Sequence, residues 1–205
     1  MGIFLTTTAI KSKSIGVITT AIIEYLGNYG VGYTQIENTE PQTGNDIGIY
    51  KSTEEWTVIL WPSYFGINEL PTVKYLSEKL DTLVSTVSIY DGESWSHSLY
   101  KSGKELDLYN SNFRMPFVFS PSFRLVSWSV NLDVVSKEFD ISSDEISCYF
   151  NEGQTIKCSI SSERADDPWV FTDFWGKVGI KYPIPDIHPY AVYKLDSSYN
   201  EKLPK

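Results

Sequence analysis

The chain alternates short apolar runs with polar punctuation, and the period of each run assigns it an element. Ile3 to Thr7 is apolar and β-favouring. Ser14 then stands where an N-cap would precede Ile15, Ile18, Ile22, Tyr25 and Leu26, which fall on one helical stripe. Gly27 and Gly30 stop it. Tyr33 to Glu37 reads as a strand and NTEPQTGN, from Asn38 to Asn45, as a polar loop. Ile47 to Tyr50 and Glu55 to Trp61 read as two more strands, the second ended by Pro62. A second amphipathic helix opens near Pro71 and carries Val73, Leu76, Leu80 and Leu83 at helical spacing. Val84 to Tyr90, Trp95 to Lys101 and Glu105 to Asn110 follow, separated by the turn signals DGES and SGK, as a three-stranded antiparallel meander.

Strand, helix, strand, strand thus occurs from Ile3 to Tyr50 and again from Trp56 through Tyr100, at an offset of about fifty-five residues. The identities do not match, so a duplicated β-α-β-β unit is an expectation of topology alone. The expected fold class is α+β: residues 1–112 form a mainly antiparallel sheet with two amphipathic helices on one face. Residues 113–205 form a helical and extended C-terminal segment packed on that sheet, the whole making one compact domain. Its first part, FRMPFVFSPSFRLVSWS up to Ser129, reads as a crossing segment punctuated by Pro116 and Pro121. Three short helices follow. Asn131 caps Leu132, Val135 and Phe139; SSDE at Ser142 to Glu145 is a capping box before Ile146, Tyr149 and Phe150; Asp167 and Pro168 open a helix with Phe171, Phe174, Trp175 and Val178 inward. Gly179 closes this last helix, and the tail from Lys181 is extended and proline-rich.

A chain of 205 residues with 41% hydrophobic and 15% aromatic residues supports a real core and excludes a disordered tail. Seventeen Lys and Arg against 26 Asp and Glu give 17 − 26 = −9, a field that repels phosphates and anionic lipid heads. The expected partner is therefore another protein with a basic surface, with neither nucleic acid nor membrane, and the chain itself a monomer or homodimer. No stretch approaches a membrane span, and Gly2 with Thr6 satisfies the myristoylation pattern only formally, since Phe4 and Leu5 read as strand. Cys148 and Cys158 form no CxxC motif, so Cys148 is expected to be a buried structural thiol in a reducing cytoplasm.

The densest chemistry is DGESWSHSLY, residues 91–100, which holds Asp91, Glu93 and His97. Asp91 and Gly92 are the ordinary residues of a type I′ hairpin turn, where both central positions need φ > 0. The period of two then puts His97 and Leu99 on one face of the strand and Ser94, Ser96, Ser98 and Tyr100 on the other. A metal-dependent or acid–base enzyme would use His97 with Asp91, Glu93 or Asp107, or bring in His188, the other histidine. No nucleophile elbow occurs, and the glycines of GNYGVG end a helix rather than open one, so they cannot offer a helix N-terminus to an anion. No cofactor, catalytic residue or metal ligand is assigned on this basis.

Aromatic and acidic residues in polar surroundings suggest a protein-binding surface instead: Tyr29, Tyr33, Glu54, Glu55, Trp56, Tyr64, Asp91, Glu93, Asp166 and Asp167. VSTVSIYDGESWSHSLYKSGKELDLYNSN and the later DPWVFTDFWGKVGI resemble a group of uncharacterised bacterial α+β proteins. Such acidic cytoplasmic proteins look like toxin-immunity proteins, which bind and block a partner enzyme; the resemblance carries over no functional residue. It implies a non-enzymatic, acidic protein of toxin-immunity or defence-linked type. The alternatives are the His97 enzyme and a structural oligomeric module.

Overall fold

A computed structural model describes residues 3–36, 44–111, 130–150, 167–183 and 187–205, apart from the side chains at 67 and 68. Eight strands form one antiparallel sheet: β1 (Leu5–Lys11), β2 (Tyr33–Ile36), β3 (Asp46–Lys51), β4 (Trp56–Leu60), β5 (Leu83–Tyr90), β6 (Ser94–Lys101), β7 (Lys104–Asn110) and β8 (Ala191–Leu195). Their order across the sheet is β2-β8-β3-β4-β1-β5-β6-β7. The crossing segment expected up to Ser129 and most of the NTEPQTGN loop lie outside the described residues.

Helices cover both faces. On one side α1 (Ile15–Asn28), α2 (Glu69–Leu80) and α6 (Tyr199–Lys202) close a core that includes Ile18, Ile22, Tyr25, Val73, Leu76 and Tyr199. On the other, α3 (Leu132–Phe139), α4 (Ser143–Ile146) and α5 (Phe171–Lys177) close a second core around Val135, Phe139, Ile146, Phe174 and Trp175. The two helices on one face are as the pattern predicted. Being covered on both faces explains why WTVIL is buried at every position instead of alternating.

Local signals account for most boundaries. Ser14 accepts the Val17 N–H as the N-cap of α1, Asn131 accepts that of Val134 on α3, and Ser142 with Glu145 forms the capping box of α4. Several expectations shift. β1 runs from Leu5 to Lys11 instead of Ile3 to Thr7, and α1 continues through Gly27 to Asn28. α2 begins at Glu69, two residues before the predicted start, so Pro71 occupies its first turn, where a missing N–H costs no helical bond. Leu83 belongs to β5 because Asp81, at φ 46°, turns the chain out of the helix.

Two β-α-β-β runs are present in chain order, but the sheet arranges them differently. β2, after α1, lies at the far edge, whereas β5, after α2, adjoins the central β1. The C-terminal segment does more than pack on the sheet: β8 enters it between β2 and β3, so the region after residue 112 completes the sheet begun before it.

Candidate functional site

The turn of DGESWSHSLY behaves as its sequence requires. Asp91 and Gly92 have φ of 54° and 71°, and the Glu93 N–H donates to the Tyr90 carbonyl at 3.1 Å. Asp91 and Glu93 are exposed at the tip. His97 lies four residues further along β6, roughly 13 Å away at about 3.3 Å per residue, and is completely buried. The structure therefore separates His97 from both tip carboxylates and brings it to Asp107. His188 is exposed, unlike His97.

Around His97 a buried relay crosses three adjacent strands and reaches α5. The Trp175 indole N–H lies 3.1 Å from the Ser85 hydroxyl oxygen, which is 3.0 Å from His97 Nε2. Indole nitrogen can only donate, so Ser85 Oγ accepts from Trp175 and meets Nε2 with either its own proton or its second lone pair, according to the histidine tautomer. On the other side of the ring, Nδ1 faces Asp107 Oδ2 at 4.0 Å. Burial pushes the His97 pKa down to about 3 and is the main cause raising that of Asp107, so it opposes the charged form of each group. Asp107 Oδ1 accepts the Asn131 N–H at 2.7 Å, tying the N-cap of α3 to β7. Nδ1 and Oδ2 make no hydrogen bond among the described residues.

The order serine, histidine, aspartate is that of an acyl-transfer triad. The surroundings oppose that chemistry. Ser85 and His97 have no exposed surface, the serine oxygen is engaged by Trp175, and Phe150 and Phe174 lie 6.0 and 5.3 Å from the imidazole ring. A base whose pKa is about 3 accepts protons poorly at neutral pH. What the arrangement does is fix the positions of β5, β6, β7, α3 and α5 relative to one another. Ser85 went unassigned in the sequence, although a serine among Leu83, Val87 and Ile89 on a strand face was its visible signal.

The opposite face carries a second buried polar group, Glu69 at the start of α2. It accepts from Ser88 at 2.6 Å and Ser98 at 3.0 Å, and Ser88 in turn meets Thr6 at 2.9 Å. Desolvation raises its pKa, against the two hydroxyl bonds that lower it. Cys148 is disulfide-bonded, which corrects the expected free thiol.

The expected partner-binding residues do not form one surface. Trp56 is a correction: it is 3% exposed and packs on Phe139, because β4 is covered on both faces. Asp167 is used as a helix cap, accepting the Trp169 N–H, and Asp166 lies outside the described residues. Glu54 pairs with Lys51 on the surface, and Glu55 is exposed beside it. Tyr29 and Tyr33 are exposed near the C-terminus of α1 and on β2. Tyr64 is linked to the turn that carries Asp91 and Glu93 through Ile3 and Phe4. Phe4 bridges Tyr64 and Tyr90 with ring centroids 4.5 and 5.2 Å away, and the Gly92 N–H donates to the Ile3 carbonyl at 3.0 Å. Ile3, Phe4 and Tyr90 were missed because a strand start and a turn flank look unremarkable until folding joins them.

Among the described residues no cluster of three or more His, Cys, Asp or Glu could hold a metal, and no helix is long and apolar enough to cross a membrane. No protein-family model matches the chain, and neither a curated protein nor a solved structure matches it.

Proposed function

We propose that this chain is a non-enzymatic protein-binding protein that covers a basic surface of a partner, in the manner of toxin-immunity or related defence-linked proteins. The observation that carries the reading is Tyr64. It is 60% exposed and sits at φ 63°, a left-handed conformation that bulky residues rarely hold without a reason. Phe4 supports its ring, and Ile3 and Tyr90 extend the apolar surface at 45% and 37% exposure. The segments that build this surface, residues 3–4, 62–64 and 90–93, contain Asp91 and Glu93 and no Lys or Arg. Aromatic anchors beside uncompensated acids suit a basic partner, and the net charge of −9 adds long-range attraction. An oxidised Cys148 supports a disulfide-permitting compartment over the reducing cytoplasm expected from the sequence.

The test is quantitative capture from the native host with the wild-type chain and with a Tyr64→Ala, Glu93→Lys variant. A basic protein held by the wild type, released by salt and lost with the variant is the expected result. Equal capture by both, or none by either, would sink the proposal.

The second reading is an acid–base enzyme, favoured by the Ser85, His97 and Asp107 alignment. It requires α5 to leave the sheet so that Ser85 reaches solvent, because Trp175 occupies the serine oxygen. An active-site serine probe such as a fluorophosphonate distinguishes the two, and labelling of Ser85 would favour the enzyme.

A further inference from the structure

A groove of about 850 Å³ runs beside α5, bordered by Thr53, Trp169, Thr172, Gly176, Lys181 and Tyr182. Its size falls within the range of small-molecule sites. Trp169, Phe171 and Tyr182 hold one another in place, with ring centroids 5.5 to 5.9 Å apart. The aromatic wall is therefore fixed before any ligand arrives. Ser52 fastens the far side by accepting the Lys181 N–H at 2.9 Å and donating to the Lys181 carbonyl at 2.6 Å.

Apart from the Lys181 ammonium at its border, the hydrogen-bonding groups of this groove are uncharged and of both kinds. Thr53 Oγ1 accepts the Trp56 N–H, so its own proton is unspent. Thr172 Oγ1 donates to the Trp169 carbonyl, leaving its lone pairs to accept. The Trp169 indole N–H and the Tyr182 hydroxyl form no hydrogen bond with described residues, and burial pushes the tyrosine up to about 12, keeping it a neutral donor.

Gly176 adds an independent mark. It lies in the last turn of α5 without a positive φ, and a Cβ built on it would meet nothing within 4 Å. Neither conformation nor internal packing requires glycine there, although alanine would favour the helix. Glycines of α1 share that freedom, so Gly176 counts because it borders the groove, where a bare backbone permits close approach from outside.

We infer that this groove is a binding site for a neutral saccharide. Sugar rings present apolar C–H faces that pack on Trp169 and Tyr182, and hydroxyls that both donate and accept, matching Thr53, Thr172, the indole N–H and the phenol. The overall charge of −9 opposes an anionic ligand despite the Lys181 ammonium at the border.

The test is ¹H–¹⁵N spectroscopy of the full chain titrated with maltotriose, cellotriose and chitotriose, the Trp169 indole resonance being assigned with Trp169→Phe. At least one trisaccharide should shift that resonance in a saturable way. Gly176→Leu, which fills open space and leaves the other lining groups in place, should abolish the shift while keeping the thermal midpoint. No shift with any of the three, or an equal shift in a folded Gly176→Leu chain, overturns the inference. If Gly176→Leu fails to fold, Thr172→Val replaces it, and an undiminished shift there counts against the site equally.

Discussion

His97 Nδ1 and Asp107 Oδ2 lie 4.0 Å apart inside the sheet, on neighbouring strands, with neither atom hydrogen-bonded to a described residue. Both side chains are almost wholly buried. The contact depends on one irregularity. The Ser102 and Gly103 turn pairs Lys101 with Lys104 and Tyr100 with Glu105, and a regular ladder would next place Asp107 opposite Ser98, on the face away from His97. A bulge between Leu99 and Tyr100 sets Asp107 opposite Leu99 instead, turning it to the His97 side.

The pH dependence of stability follows from His97. Its pKa is lowered on folding, so the stability it confers is fully present above its ordinary value of 6.5 and is lost as pH falls towards about 3. Urea midpoints measured from pH 7.5 to 4 should decline in the wild type. His97→Leu should be destabilised at neutral pH by about 1–3 kcal/mol, since Ser85 loses its hydrogen-bond partner, yet its midpoint should fall less with acid. A parallel decline in both chains would refute the assignment.

Glu69 works in the other direction. Its pKa is raised on folding, so its favourable contribution is complete below its ordinary value of 4.5 and is lost as pH rises through the folded value. Glu69→Gln keeps the shape and removes the charge, and its amide can still bond Ser88 and Ser98. Its midpoint at pH 8 should exceed the wild type's by roughly 2–4 °C for about 1 kcal/mol gained, with the difference shrinking towards pH 4. A less stable Gln variant at pH 8 would show that the carboxylate is held charged.

The bond from Trp175 to Ser85 should appear as an energetic coupling. Single variants Trp175→Phe and Ser85→Ala each leave a buried partner altered, and the double variant should cost less than their sum by about 0.5–3 kcal/mol, as for residues sharing a network. Denaturant unfolding of the four chains measures this, and additivity within error would mean that the 3.1 Å contact carries no energy.

Tyr64 offers a separation of stability from binding. Tyr64→Gly relieves a left-handed φ at the cost of the Phe4 ring contact, so the thermal midpoint should stay within a few degrees of the wild type or rise. Partner capture should be lost. A large fall in the midpoint would assign Tyr64 to the fold instead.

Oxidation at Cys148 is tested by thiol titration of the chain unfolded without reductant. No reactive thiol is the expected outcome, and reduction should lower stability by roughly 2–4 kcal/mol. Free thiols in the oxidised preparation would restore the reducing-compartment reading.

Much of the molecule was legible in the chain itself, because its signals act over a few residues. Apolar period located β2 to β7, the first residues of β1 and the inward faces of α1, α2, α3 and α5; Ser14, Asn131 and Ser142 marked helix starts because a side-chain oxygen must meet an N–H within three residues. Asp91 with Gly92 announced a turn by the same logic, and the period of two put His97 and Leu99 on one face of β6. Long-range placement was decided only by the tertiary structure. Whether β4 is covered on one face or two determines that Trp56 is core, and β8 reaches the sheet interior from the far end of the chain. The joining of Ile3, Phe4, Tyr64 and Tyr90, and the approach of Asp107 to His97, depend on register and on a single bulge. Periodicity specifies which way a side chain points from its own strand, while pairing between distant segments specifies what it meets there.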